Sequence, residues 1–187
     1  MRRCPRVATF LVSGMAAVKG GHVSERPELY GRPWRDSERW RALLSGEACD
    51  LCGDHKPPEV VVIAEMGASR LTTEEGAPFR GYCCLVLNRH AVELHDLEQE
   101  EAALLMDDMR RTSRALQEVT GAVKINVDIH GNTMPHLHAH FLPRYVGDPY
   151  EEGPIDFRRA RDTAEFTYGP EVLRRFVEDL RTAIGAD

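Results

Sequence analysis

The sequence has no excess of positive charge. Its 24 Lys and Arg stand against 30 Asp and Glu, for a net charge of −6. Sequence-independent grip on a nucleic-acid duplex needs a basic stripe, so that class is excluded. A small anion held in a local pocket is not. An even cysteine set is also missing. Five cysteines do not make a disulfide framework, and reduced thiols point to the cytoplasm. The apolar stretch Val7–Val18 is too short to span a bilayer, so no membrane partner is expected. With the basic residues ahead of it, this stretch has the look of a signal peptide. The free thiols downstream argue for a poorly ordered extension over 1–30 instead, or for Met15 as the true start. Internal repeats and low-complexity tracts are absent.

What is present fits one domain with a sizeable core and some extra length. "RPWRDSERWRALLSG" reads as a short helix capped by Asp36 or Ser37, with Trp40, Leu43 and Leu44 inward. "EVVVIAE" (Glu59–Glu65) and "GYCCLVLNRH" (Gly81–His90) read as buried strands. "SRLTTEEGAPFRG" between them reads as a polar connection. Cys83 and Cys84 are expected in the core, as small hydrophobes. A long helix follows. Asp96 stands three before Gln99, and Leu97, Leu104, Leu105, Met109, Leu116 and Val119 mark one face. Gly121 stands at its C-terminal stop. "VKINVDI" is a further strand. A last amphipathic helix starts at Pro170, with Val172, Leu173, Phe176, Val177, Leu180 and Ile184 inward. The order implies an α+β fold with a mainly antiparallel sheet packed by one long helix, plus an extra C-terminal helix.

The chemistry lies in "GNTMPHLHAHFLPRY" (Gly131–Tyr145). His136, His138 and His140 recur every second residue. On a strand, placed here over His136–Leu142, that spacing puts three imidazoles on one face and the intervening apolar residues on the other. Three such rings are costly to bury without partners. Two chemistries need them: a metal site, or a neutral imidazole that attacks phosphorus and carries the group as a phosphoramidate. The "GNT" turn offers backbone N–H groups, the Asn132 amide and the Thr133 hydroxyl, and Asn126 adds another amide. Donors without nearby carboxylates suit a phosphate better than a second cation, although Asp128 is close in sequence.

"HLHAHFL" resembles the His-φ-His-φ-His-φ-φ signature of the histidine triad (HIT) family of nucleotide hydrolases and transferases. The likeness extends through "CDLC", "GYCCLVLNRHAVELHDLEQEE" and "KINVDIHGNTMPHLHAHFLPRY", roughly residues 47–150. It implies a HIT domain over 31–150 and a C-terminal extension over 151–187. It further implies that His138 attacks the α-phosphorus of a nucleoside 5′-phosphate derivative to give a nucleotidyl-histidine. His140 would contact the phosphate and help protonate the leaving group. Thr133 and Asn126 would hold phosphate oxygens, beside the Asn132 amide that the turn itself offers, and Glu74 would stand where many members place a ribose-binding Asp. A carbonyl on His138 Nδ1–H would fix the tautomer that attacks through Nε2. His at the third position favours hydrolysis over nucleotidyl transfer; a regulatory protein that only senses nucleotide is the alternative.

Cys49 and Cys52 alone are a weak metal signal. In several HIT-like proteins a structural zinc is completed by the histidine after the second strand and by the first of the triad. Those positions are His90 and His136 here, with His55 as a competing ligand. The resemblance also implies a homodimer formed through the long helix and the adjacent strand.

Overall fold

The computed structural model describes residues 33–52, 60–77, 79–156 and 168–186. The expectations for residues 1–30 and for His55 lie outside the described residues. Among these residues, five strands and three α-helices follow in the order α1 (Ser37–Leu44), β1 (Val60–Glu65), β2 (Ser69–Glu74), β3 (Cys83–Leu87), α2 (Gln99–Thr120), β4 (Lys124–Ile129), β5 (His138–Arg144) and α3 (Pro170–Ile184). The strands form one antiparallel sheet in the order β1-β2-β3-β5-β4. The α+β architecture is as the sequence implied.

Strand β2 corrects the reading of "SRLTTEEGAPFRG" as a connection. Its polarity misleads because its hydroxyls are satisfied inside the protein. Ser69 Oγ donates to Asp108 at 2.8 Å, Thr72 Oγ1 to the Cys84 carbonyl at 3.0 Å, and Thr73 Oγ1 to the Tyr82 carbonyl at 2.8 Å. Between them Leu71 is fully buried. Asp108, on α2, also accepts the Gly67 and Ala68 amides at 2.9 and 2.8 Å. This buried carboxylate thereby locks the long helix to the β1–β2 turn through three donors.

Helices α2 and α3 pack on one sheet face. Leu71, Cys83, Leu85, Ala139 and Phe141 meet Ala115 and Leu116 of α2 and Leu173, Phe176, Val177, Leu180 and Ile184 of α3. Each such Leu or Phe contributes about 1.5–3 kcal/mol on burial. Three residues expected inward are exposed: Leu44, Leu104 and Val172. Each sits where the apolar stripe passes the rim of the contact. Cys84 is only partly buried, because alternation turns it to the opposite face.

One terminal detail also differs. Asp36 caps α1 as expected, accepting the Arg39 amide at 3.0 Å. Asp96 does not cap α2. It closes a 3-10 turn over Leu94–Asp96, where its carboxylate takes the Val92 and Glu93 amides at 3.2 and 2.9 Å. Helix α2 stops at Gly121, whose φ of 67° is the left-handed cap a glycine adopts without strain.

On the edge strand β1, Arg181 of α3 donates to the Ile63 and Val62 carbonyls, both at 2.9 Å. These lie at an irregularity in the β1–β2 register between Val62 and Ala64.

Candidate active site

The histidine strand begins two residues later than the sequence suggested, at His138. His136 and Leu137 are held instead by backbone bonds at the strand's approach: Leu137 N donates to Ala91 O at 2.7 Å and Leu87 N to Leu137 O at 3.1 Å. The first histidine is therefore split from the other two, and the triad is divided between two settings.

His136 is 1 % exposed. Its Nε2 lies 2.9 Å from the Leu87 carbonyl, so that nitrogen carries the proton and Nδ1 keeps its lone pair. Nδ1 faces Cys49 Sγ at 3.3 Å and Cys52 Sγ at 3.4 Å. His90 repeats the pattern, with Nε2 on the Leu44 carbonyl at 3.0 Å and Nδ1 at 3.3 Å from Cys52 Sγ. The four ligand atoms lie within 4.8 Å of one another. Ligands around a tetrahedral zinc sit about 3.3–3.8 Å apart, given Zn–S near 2.3 Å and Zn–N near 2.0 Å. The cluster can hold a metal ion. Burial pushes the Cys52 thiol up to about 11, with Cys49 beside it adding to the rise. Burial also pushes His136 down to about 4, against the opposing pull of its Leu87 bond. A divalent cation would take the place of the thiol protons. The Arg70 guanidinium grips the Leu51 carbonyl at 2.5 Å and ties the thiol loop to β2.

His138 uses its ring the other way round. Nδ1 sits 2.5 Å from the His136 carbonyl, which fixes the proton there and leaves Nε2 as the lone-pair nitrogen. Burial holds His138 below the usual histidine range, so the ring is neutral at pH 7. His140 lies on the same face, its ring 4.8 Å from His138 at 86°. Its Nδ1 is 2.8 Å from the Tyr82 hydroxyl. Burial, then the neighbouring His138 and His130, push His140 down to about 3. The Tyr82 contact had no signal in the sequence, because the strand around it reads as plain core.

Register brings the other expected residues to this face unequally. Asp128 pairs with His140 and Asn126 with Leu142, so Asn126 lies one alternation beyond the histidines. Glu74 ends β2 on the side shared with Cys84, which pairs with His140. Burial raises the Cys84 thiol to about 12, and the Glu74 carboxylate adds to it. Asn132 and Thr133 are exposed in the link between β4 and β5. His130 closes that side, its ring 5.9 Å from His140 and its Nε2 4.0 Å from Asp128.

The family profile described as HIT domain matches residues 58–147. The chain carries a histidine triad domain. Solved structures agree. A histidine triad protein from Bradyrhizobium japonicum is 28% identical, with a TM-score of 0.58, over 67% of this chain and 91% of its own. One from Sinorhizobium meliloti is 24% identical, with a TM-score of 0.57, over 67% and 90%. A hypothetical histidine triad nucleotide-binding protein from Sulfolobus tokodaii is 15% identical, with a TM-score of 0.51, over 77% and 89%. The last two likenesses are of fold alone. No curated protein sequence matches the chain. The match to the HIT domain over residues 58–147 supports a nucleotide-binding, hydrolase-type role. No described helix is long and apolar enough to cross a membrane.

Proposed function

We propose that this HIT protein is a nucleotidyl hydrolase acting on a nucleoside 5′-phosphate derivative, either a phosphoramidate or a dinucleoside polyphosphate. The observation that carries the reading is the His138 Nδ1 bond to the His136 carbonyl, which leaves Nε2 as a neutral nucleophile. Nε2 attacks the α-phosphorus and the bond to the leaving group breaks. In a His140 protonated on both nitrogens, Nδ1–H donates to the Tyr82 oxygen and Nε2 gives its proton to the leaving atom, so the ring ends neutral. Bound phosphate oxygens would stabilise a protonated His140 against the burial that depresses it. Water then attacks the nucleotidyl-His138 and gives its proton to neutral His140, the P–Nε2 bond breaks, and a nucleoside monophosphate leaves with the His138 imidazole restored. Asn126, Asn132 and Thr133 are the donors assigned to the phosphate oxygens, and Glu74 the acceptor assigned to the ribose.

Cys49, Cys52, His90 and His136 are assigned to a structural zinc, which when bound pins the thiol loop to the base of β5 and takes no step in the reaction. A hydrolase that places all three triad histidines on one cation is disfavoured, because His138 turns Nδ1 to a carbonyl while His136 turns to the thiols. Residues 31–150 are taken as the catalytic domain and 151–187 as its extension. A cytoplasmic setting is supported by the free thiols of Cys49, Cys52, Cys83 and Cys84. A homodimer is supported by exposed Val123, Val127 and Ile129 at edge strand β4, with Leu104 and Met106 exposed on α2.

The test is mass spectrometry of the protein after brief exposure to a mixed pool of nucleoside phosphoramidates and dinucleoside polyphosphates. A nucleoside monophosphate on the His138 peptide is expected. His138→Ala should lose the adduct and about 10⁴-fold of turnover. Nucleotide binding with equal, negligible turnover in both proteins would replace the enzyme by a sensor.

A further inference from the structure

Arg144 ends β5 on the face of His138 and His140, and the mechanism above gives it no task. Its side chain is 8% exposed. Every guanidinium N–H has an acceptor. Nε donates to Asp148 Oδ2 at 2.9 Å, and Nη2 to Asp148 Oδ1 at 2.8 Å and to the Tyr150 carbonyl. Nη1 donates to the Gly153 carbonyl at 2.9 Å and to Asn126 Oδ1 at 3.1 Å. A guanidinium has donors only, so the atom that Asn126 shows it must be the carbonyl oxygen. The Asn126 NH₂ is therefore turned away from Arg144. Asn126 stands one alternation, about 7 Å, along β4 from the Asp128–His140 pair.

We propose that Arg144 is a positioning residue for nucleotide recognition. By holding Asn126 Oδ1 it presents the Asn126 NH₂ as a fixed donor to the phosphate bound beside His138 and His140. By also holding Asp148, Tyr150 and Gly153, it makes that orientation depend on the docking of residues 148–153. A lysine could not replace it, having three donors on a point charge against five in a planar fork. The proposal rests on the nucleotidyl-hydrolase reading of the site.

The test uses the full chain and three probes: AMP and adenosine for binding, and adenosine 5′-phosphoramidate for turnover. Asn126→Asp keeps an acceptor for Arg144 but turns a second oxygen, not a donor, to the phosphate. It should weaken AMP about 100-fold and adenosine less than about twofold, since adenosine lacks the anion. Arg144→Met should lower kcat/KM for the phosphoramidate at least about tenfold, and that loss should vanish in an Asn126→Ala background. Asp148→Asn, a milder change, should show a smaller loss that vanishes in the same background. It decides the matter if Arg144→Met does not fold. Equal losses with and without the Asn126 amide would make Arg144 a structural pin and overturn the proposal. Wild-type protein that neither binds AMP nor forms the His138 adduct would sink the functional reading, and this inference with it.

Discussion

His136 and His138 stand two residues apart and use the same ring from opposite ends. At the approach to β5, His136 hands Nε2 to a carbonyl and offers Nδ1 to two thiols. One step into the strand, His138 hands Nδ1 to the carbonyl of His136 itself and offers Nε2. The metal-type cluster and the His138–His140 stretch thus share a single peptide unit. That link teaches why the cluster stands where it does: whatever fixes His136 also fixes the carbonyl that sets the His138 tautomer. On the proposed reading, stiffness belongs to the first region and reactivity to the second.

The largest separation of the two regions should come from the thiols. Cys52→Ser, or a zinc chelator on the wild type, should lower the melting temperature by about 10 °C or more, because a structural metal contributes folding free energy directly. His138→Ala should melt with the wild type and keep its metal. Calorimetry with metal analysis reads both; a chelator-insensitive melt would dissolve the distinction.

A smaller effect should come from the catalytic side. Tyr82→Phe removes the hydroxyl at His140 Nδ1 and should lower kcat about tenfold or more, within the range of positioned acid–base groups. Its metal content should stay at the wild-type level. An unchanged kcat would show that His140 is oriented by its packing alone.

The smallest effect concerns acid. His140 is held well below its ordinary value by burial, so the unfolded chain binds this proton first as pH falls. Stability from its neutral form is therefore full above the unfolded value near 6.5, and drains away toward the folded value near 3. Melting temperature should decline between pH 7 and pH 4, and less steeply in His140→Asn. An equal slope in both proteins would assign the decline to other groups.

Much of this was legible in the residues. The period-two histidines announced a strand and a shared face, and Cys49-x-x-Cys52 announced a candidate ligand pair. Less legible was β2, since Ser69, Thr72 and Thr73 look solvent-facing until their distant acceptors are known. Asp108 hid in the same way: a carboxylate on a helix looks exposed unless three donors wait for it forty residues upstream. Arg144 carried a faint signal, a charge at an inward alternation just after Pro143. Its five acceptors come from β4 and from the 148–153 segment, and no local pattern names them.

The two borders of the sheet are unlike. Arg181 occupies carbonyls of β1, while β4 presents its outer ladder beside exposed Val127 and Ile129. With two of its carbonyls taken by Arg181, β1 is the poorer border for adding a further strand, and a single arginine of the last helix makes it so.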